Sequence, residues 1–240
     1  MIDLNFLDLV IILVIAFGFF IGFKRGVTKE AVCFAKFAFS LVVAFIFKNP
    51  LSRLMYENLP FFKFGGYFKG VSAINILLYE FLAFLLILLA LMIIFRLLML
   101  FTSIFEKILE STIILGIPSK ILGFFIGGIH YYFVIFVVLF VLSLPMLGNN
   151  KILNGSLFTP IILKKTPILS MGVKSTVNVI DEFYDLKEEY DGTSTNKFNL
   201  DTMDLFLKYD IIKVDSAEYL VKKKKLNIKG IDEVIEKYKK

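Results

Sequence analysis

Long apolar runs separated by short polar breaks dominate the first 147 residues of the chain. A helix needs roughly 20 apolar residues to cross a hydrocarbon core of about 30 Å, and four runs are long enough. These runs are Leu4–Phe23, Val27–Phe47, Ala73–Phe101 and Ile121–Leu144. The pattern predicts an all-α protein, with a four-helix transmembrane bundle in residues 1–147 and an extramembrane tail in residues 148–240.

The first apolar run is expected to stay in the protein as a helix. No Lys or Arg precedes it, whereas Lys24-Arg25-Gly26 follows it. A signal peptide has the opposite order of charge and ends in a small-residue cleavage site. The second run ends at Lys48-Asn49-Pro50, and the third is long enough to require tilt or an overhanging end.

A shorter apolar segment, Ile104–Ile117, precedes the fourth span. It is too short to cross the bilayer and carries Glu106, Lys107 and Glu110 on one side. We expect an amphipathic or re-entrant helix here, followed by Pro118 at the opening of the fourth span.

The tail is charged and its apolar positions recur at helical spacing. An irregular stretch with Pro160 and Pro167 comes first, followed by an amphipathic helix over 173–190 and short helices at about 201–208, 216–224 and 231–239. The tail has few apolar residues for a core of its own. We therefore expect it to dock on itself, on a partner or on the membrane.

Charge is distributed as this division requires. The chain is 58% hydrophobic with a net charge of +6, and residues up to Leu147 hold 11 Lys+Arg and 7 Asp+Glu, against 16 and 14 in the tail. The bases cluster at span ends, where they meet anionic lipid, so no nucleic-acid partner is expected.

The run Lys222–Lys225 is interpreted as a solvated helix face. Cys33 is alone, so we expect no disulfide, no metal and no cofactor.

Glycines repeat every four residues in two of the spans: Gly18, Gly22 and Gly26 in the first, Gly123 and Gly127 in the fourth. Small residues allow close helix contact in lipid, where little hydrophobic force drives helices together. The first span ends and the fourth begins on the same side of the membrane, so the two faces lie at similar depth. They either pack on each other, or each packs on another neighbour or a second protomer.

Ionisable residues inside spans are costly unless paired or hydrated. Asp8, Lys36 and Glu80 form a candidate cluster, which would either line a proton or ion path or fix helix rotation through interhelical pairs. The second interpretation is favoured, because no regular array of ionisable residues continues across the membrane. His130 is expected to be a packing histidine.

Three bases, Lys24, Arg25 and Arg96, lie where they can reach the membrane interface. The absence of Lys and Arg before the first span, with Lys24, Arg25 and Lys29 after it, predicts that both termini face outside. No phosphate loop, HExxH or nucleophile elbow occurs, so neither catalytic residues nor enzymatic activity is expected.

The order of these features resembles the colicin V production protein (CvpA) family. The resemblance is carried by Asn5-x-x-Asp8, by Gly18-x-x-x-Gly22-Phe23-Lys24-Arg25-Gly26, by Leu122-Gly123-x-x-x-Gly127 and by Thr166-Pro167. It covers roughly residues 1–170, and the sequence departs from the family's pattern in having Lys24-Arg25 and in having Lys36 within the second span. It implies a four-span protein of the bacterial inner membrane, associated with peptide-toxin production or export and with envelope physiology.

Two hypotheses for the function follow. The first is a non-enzymatic membrane factor that supports toxin production or export and envelope homeostasis. Its partners would be the lipid bilayer and a second copy of itself or another membrane or envelope protein. The second is a small oligomeric channel or transporter, with Asp8, Lys36 and Glu80 along its path.

Overall fold

The computed structural model describes residues 5–65, 68–101, 117–147, 153, 155–167, 169–190 and 194–239. Its regular secondary structure is helical throughout these ranges, which confirms the predicted all-α class. The short helix predicted before the fourth span lies, except for Ile117, outside the described residues, as do Glu106, Lys107 and Glu110.

Four long helices match the four predicted spans, and each is long and apolar enough to cross a membrane. They are α1 (Phe6–Arg25), α2 (Val27–Asn58), α3 (Ile74–Phe101) and α4 (Ile117–Leu142). A 3₁₀ turn, Pro145–Leu147, follows α4. The tail contributes α5 (Phe158–Lys165), α6 (Leu169–Glu189), α7 (Thr195–Lys208), α8 (Val214–Lys222) and α9 (Ile231–Glu236).

The chain forms two compact units, each built from separated segments. The first unit contains residues 1–44, 86–143 and 148–166, and the second contains residues 45–85, 144–147 and 167–240. The predicted division at residue 147 concerns the edge of the membrane and stays a prediction.

In the first unit, α1 packs along α4 and also contacts α5. The side of α1 that faces the protein buries Ile11, Gly18 and Gly22, whereas Phe6, Leu13 and other large apolar side chains are exposed. Exposed apolar side chains on a helix of spanning length are suited to lipid contact, because lipid tails solvate them as well as a protein core does.

The second unit has a core that combines the end of α2 and the start of α3 with the tail helices. Tyr56, Leu77, Phe183, Phe206 and Leu220 are all buried in it. The tail therefore docks on α2 and α3, which supply the apolar surface that the tail lacks. This arrangement also uses the excess length of α2, because 32 residues extend about 48 Å and the hydrocarbon core needs only about 30 Å.

Two helices contain a proline where the sequence predicted a helix end or an irregular stretch. The sequence placed the end of the second span at Pro50, but α2 continues through Pro50 to Asn58. The irregular stretch predicted around Pro160 is wrong for residues 158–165, which form α5. Pro160 is the third residue of α5, where a backbone N–H has no acceptor within the helix, so its missing donor costs little.

Candidate functional site

The two glycine faces meet in the first unit, where α1 and α4 come into backbone contact. A Cβ atom added to Gly22 would lie 2.1 Å from the carbonyl oxygen of Gly123, and one added to Gly127 would lie 2.3 Å from that of Gly18. No side chain fits at these distances. The structure thus brings together the glycines that the sequence singled out on these two helices.

The contact extends beyond the predicted glycines. A Cβ atom on Gly128 would lie 2.1 Å from the ring of Phe19, and Phe19 itself stacks on Phe124 with ring centroids 4.4 Å apart. Gly128 was missed because it lies outside the four-residue repeat. At the end of α1, Gly26 adopts a φ of 77°, and the next residue's N–H donates to Ser119 Oγ at 3.3 Å. A left-handed glycine turn therefore leads from α1 to α2 beside the start of α4.

Asp8 is fully buried and joins the starts of two helices. With Asn5 it forms a capping box on α1. Its carboxylate also accepts hydrogen bonds from Ser156 Oγ at 2.6 Å and from the backbone N–H groups of Leu157 and Phe158 at 3.2 and 3.1 Å. A carboxylate at a helix N-terminus satisfies free N–H groups and complements the helix dipole. The Asn5-x-x-Asp8 motif thus holds α5 against α1.

Glu80 lies in the second unit and forms a buried ion pair with Lys48. Thr176 on α6 donates to the same carboxylate oxygen at 3.1 Å and accepts from Lys48 Nζ at 3.3 Å. The other oxygen, Oε2, accepts no hydrogen bond from the described residues. This cluster joins α2, α3 and α6. Lys48 was missed because the sequence pattern placed it beyond the end of its span.

A third buried carboxylate, Glu30, was missed as a site residue, as Lys48 was. Its Oε2 pairs with Arg25 Nη1 at 3.1 Å, and its Oε1 lies 2.6 Å from His130 Nδ1. Both distances are within hydrogen-bond range, so Glu30 on α2 is held between the last residue of α1 and the ring of His130 on α4. The ring of His130 also packs near Phe37, with centroids 5.5 Å apart. His130 is thus a packing histidine with a hydrogen-bonded carboxylate partner.

Lys36 and Arg96 line a groove of about 290 Å³ in the first unit. Lys36 is half-buried and Arg96 is exposed, and neither has an ionic partner among the described residues. The remaining lining residues, which include no carboxylate, are Cys33, Phe37, Ser40, Met92, Phe95 and His130.

The predicted cluster of Asp8, Lys36 and Glu80 therefore divides into three separate environments. Asp8 binds Ser156 and two backbone N–H groups, Glu80 binds Lys48 and Thr176, and Lys36 lines the groove. Of the predicted interface bases, Arg25 pairs with Glu30, whereas Lys24 and Arg96 are exposed.

The lysine run of the tail divides in a similar way. Lys222, Lys223 and Lys224 are exposed. Lys225 instead donates to the carbonyl oxygens of Tyr56, Glu57 and Leu59 at 3.0, 2.6 and 2.9 Å. It caps the end of α2, where helix carbonyls lack partners. Burial lowers the pKa of the Lys225 ammonium.

Asparagines hold the connection between α2 and α3 in the second unit. The Asn75 side chain accepts from Phe62 N at 2.7 Å and donates to Phe62 O at 3.2 Å. The Asn199 side chain, from α7, donates to Gly70 O at 3.1 Å and accepts from Ala73 N at 3.2 Å. The tail thus contributes directly to the structure of this connection.

These features define a class of protein: a multi-pass helical membrane protein with a glycine-mediated contact between its first and fourth spanning helices. The family model described as "Colicin V production protein" matches residues 7–167. The chain belongs to the colicin V production protein family, which confirms the resemblance noted in its sequence.

A relative from Bacillus subtilis (strain 168) is similar over most of its own length. It is described as "Uncharacterized transmembrane protein YshB" and is 27% identical over an alignment of 175 residues, which covers 68% of this chain and 93% of the relative. No solved structure matches the chain.

Proposed function

We propose that the protein is a non-enzymatic factor of the bacterial plasma membrane that supports peptide-toxin production or export and envelope homeostasis. Family membership over residues 7–167 carries the proposal. The structural contacts of the buried acids support it. Asp8 caps two helices, and Glu80 binds Lys48. Glu30 binds Arg25 and His130. Each of these contacts joins elements of the fold.

The partners of the protein would be the bilayer together with a second copy or another envelope protein. Exposed apolar side chains on α1 and α3, such as Phe20 and Ile93, support contact with lipid or with another membrane helix.

The membrane orientation follows from the bases after α1. They favour a cytosolic position for that end of α1, so both termini would face outside. Two fusions after Lys240 test this orientation: a reporter that is active only outside the membrane and a reporter that is active only in the cytosol. If only the cytosolic reporter is active, both termini face the cytosol and the proposed orientation is wrong.

Toxin export in living cells tests the proposed role. The host would carry a colicin V secretion system, lack its own family member and receive this gene on a plasmid. We expect the secreted toxin, measured by zones of growth inhibition, to rise over an empty-vector strain. The paired change Gly22→Leu and Gly127→Leu should abolish the gain by separating α1 from α4. Gly65→Ala should retain it, since a Cβ at Gly65 meets no atom of the described residues within 4 Å.

A second candidate function is a small channel or transporter, which the groove with Lys36 and Arg96 favours. Unpaired bases near the hydrocarbon region are typical of ion and substrate paths. Solute and ion flux into liposomes that contain the purified protein distinguishes the two functions. Flux that Lys36→Gln reduces would replace the first proposal with the second, and no flux above empty liposomes would support the first.

A further inference from the structure

We propose that the groove between α2, α3 and α4 binds the phosphate headgroup of an anionic phospholipid. Lys36 and Arg96 would hold the phosphate, and the aromatic wall would contact the upper part of an acyl chain. The inference does not depend on a role in toxin export, because it concerns only the chemistry of this groove in the first unit.

Charge is the first argument. Two cationic side chains line the groove and no carboxylate does, among the residues that the structure describes. Glu30, the nearest buried acid along α2, is already shared by Arg25 and His130. A base at membrane depth is costly without an anionic partner or water. A phosphate group supplies the missing negative charge, and Arg and Lys are the side chains that bind phosphate most readily.

The position of the groove along the helices is the second argument. Lys36 lies nine residues after the first residue of α2, about 14 Å along the helix, and Arg96 lies five residues before the end of α3, about 8 Å. These two helix ends lie on one side of the membrane. The bases therefore lie within one leaflet, at depths from which both side chains extend toward the headgroup region.

The shape of the lining is the third argument. Phe37, Met92 and Phe95 place apolar surface next to the two bases, and Phe39 packs edge-on against Phe95 with centroids 5.8 Å apart. Met92 is exposed, so the groove is accessible from the lipid side within the described structure. A phospholipid has the same combination of a charged head and an apolar chain. A free phosphate ion would leave the apolar wall without a partner.

Cys33 provides a built-in probe of occupancy. It lines the groove and is the only cysteine in the sequence. The full-length protein would be placed in nanodiscs of phosphatidylcholine, with or without phosphatidylglycerol, and the rate of alkylation of Cys33 by N-ethylmaleimide would be followed by intact-protein mass spectrometry. At two-thirds occupancy the rate should fall about threefold. Phosphatidylethanolamine and inorganic phosphate, tested separately in phosphatidylcholine nanodiscs, should leave the rate unchanged.

Charge variants connect the protection to the groove. Each base near a membrane surface contributes roughly a fivefold preference for anionic lipid, so Lys36→Gln and Arg96→Gln should each remove most of the protection. Arg96 is exposed, so its variant remains informative if Lys36→Gln does not fold. Lys24→Gln is the matched control, because it removes an exposed base outside the groove and should keep the protection. This control also corrects for slower thiolate formation at an anionic surface.

Native mass spectrometry gives an independent measurement. The wild-type protein should retain bound phosphatidylglycerol, and Arg96→Gln should retain less. Equal protection by phosphatidylethanolamine, protection by inorganic phosphate, or equal loss of protection in Lys24→Gln would each overturn the proposal.

Discussion

Replacing Gly22 by alanine tests how closely α1 and α4 must approach. The added Cβ would lie 2.1 Å from Gly123 O and 2.8 Å from Gly127 Cα. All of these neighbours are backbone atoms, which have no rotamer that moves them aside. The helices must therefore separate by about 1 Å, a gap at which packed atoms lose a quarter to a half of their attraction.

Two opposing effects set the size of the change. Overpacking a tight contact costs about 1–3 kcal/mol, and a clash with rigid backbone belongs at the upper end of that range. Alanine is favoured over glycine inside a helix by about 1 kcal/mol. The steric cost exceeds the gain in helix propensity, so we expect Gly22→Ala to destabilise the protein by about 2 kcal/mol.

A second substitution across the interface should cost less than the first. A Cβ on Gly127 would meet Gly22 Cα at 2.8 Å, so Gly22→Ala and Gly127→Ala open the same gap. Substitutions that share a gap are coupled, and the double variant should be less destabilised than the sum of the single variants. Gly65→Ala is the control, with an expected change within about 0.5 kcal/mol, because its Cβ meets nothing within 4 Å in the part of the chain that the structure describes.

The assay is equilibrium unfolding by sodium dodecyl sulfate in mixed micelles, followed by circular dichroism. A Gly22→Ala variant that is as stable as the wild type, or more stable, would refute the backbone contact. Strict additivity of the two alanine substitutions would show that the two glycines do not share one interface.

Three further predictions concern the polar contacts. Asp8→Ala leaves the buried Ser156 hydroxyl and the part-buried N–H groups at the start of α5 without their acceptor. It should destabilise the protein by about 1–3 kcal/mol in the same assay, whereas an unchanged stability would contradict the cap. Lys48→Met leaves Glu80 buried without its cation and should cost about 3–5 kcal/mol, most of which Glu80→Leu in the same chain should restore; additive costs would contradict the pair. Hydrogen bonding to Lys208 lowers the pKa of Glu182, so its stabilisation is present above pH about 4.5 and is lost as the pH falls through the lowered pKa. The effect should be small, because both side chains of the pair are exposed. Urea titrations at several pH values should show that Glu182→Gln lacks this pH dependence, and an unchanged pH dependence in the variant would contradict the pair.

The spanning helices could be predicted from the sequence because their signal is local. The length of an apolar run, compared with the thickness of the hydrocarbon core, indicates whether a helix can cross the bilayer. The glycine faces could be predicted for a related reason, since a four-residue repeat places small residues on one side of a helix. Both patterns are read within a single helix and need no knowledge of the partner.

The polar contacts could not be predicted in this way, because their partners are far away in the chain. Asp8 and Ser156 are 148 residues apart, and Lys48 and Glu80 are 32 apart. Pro50 is a related case: local preference favours a helix end there, but packing of the residues beyond it, such as Tyr56, keeps α2 intact. The conformation at Pro50 and the partners of these polar residues depend on tertiary contacts, and tertiary contacts produce no periodic pattern in the sequence.

The separate surroundings of the acids and the bases change where a function of the first unit should be sought. The sequence drew attention to carboxylates, yet Asp8 and Glu30 already have their hydrogen-bond or ionic partners inside the fold. Within the described residues, Lys36 and Arg96 line an accessible groove without such partners. Charge that the fold does not neutralise must be neutralised by lipid, water or a ligand. Removing these two bases should therefore affect what the protein binds more than how stably it folds, whereas removing either acid should do the reverse.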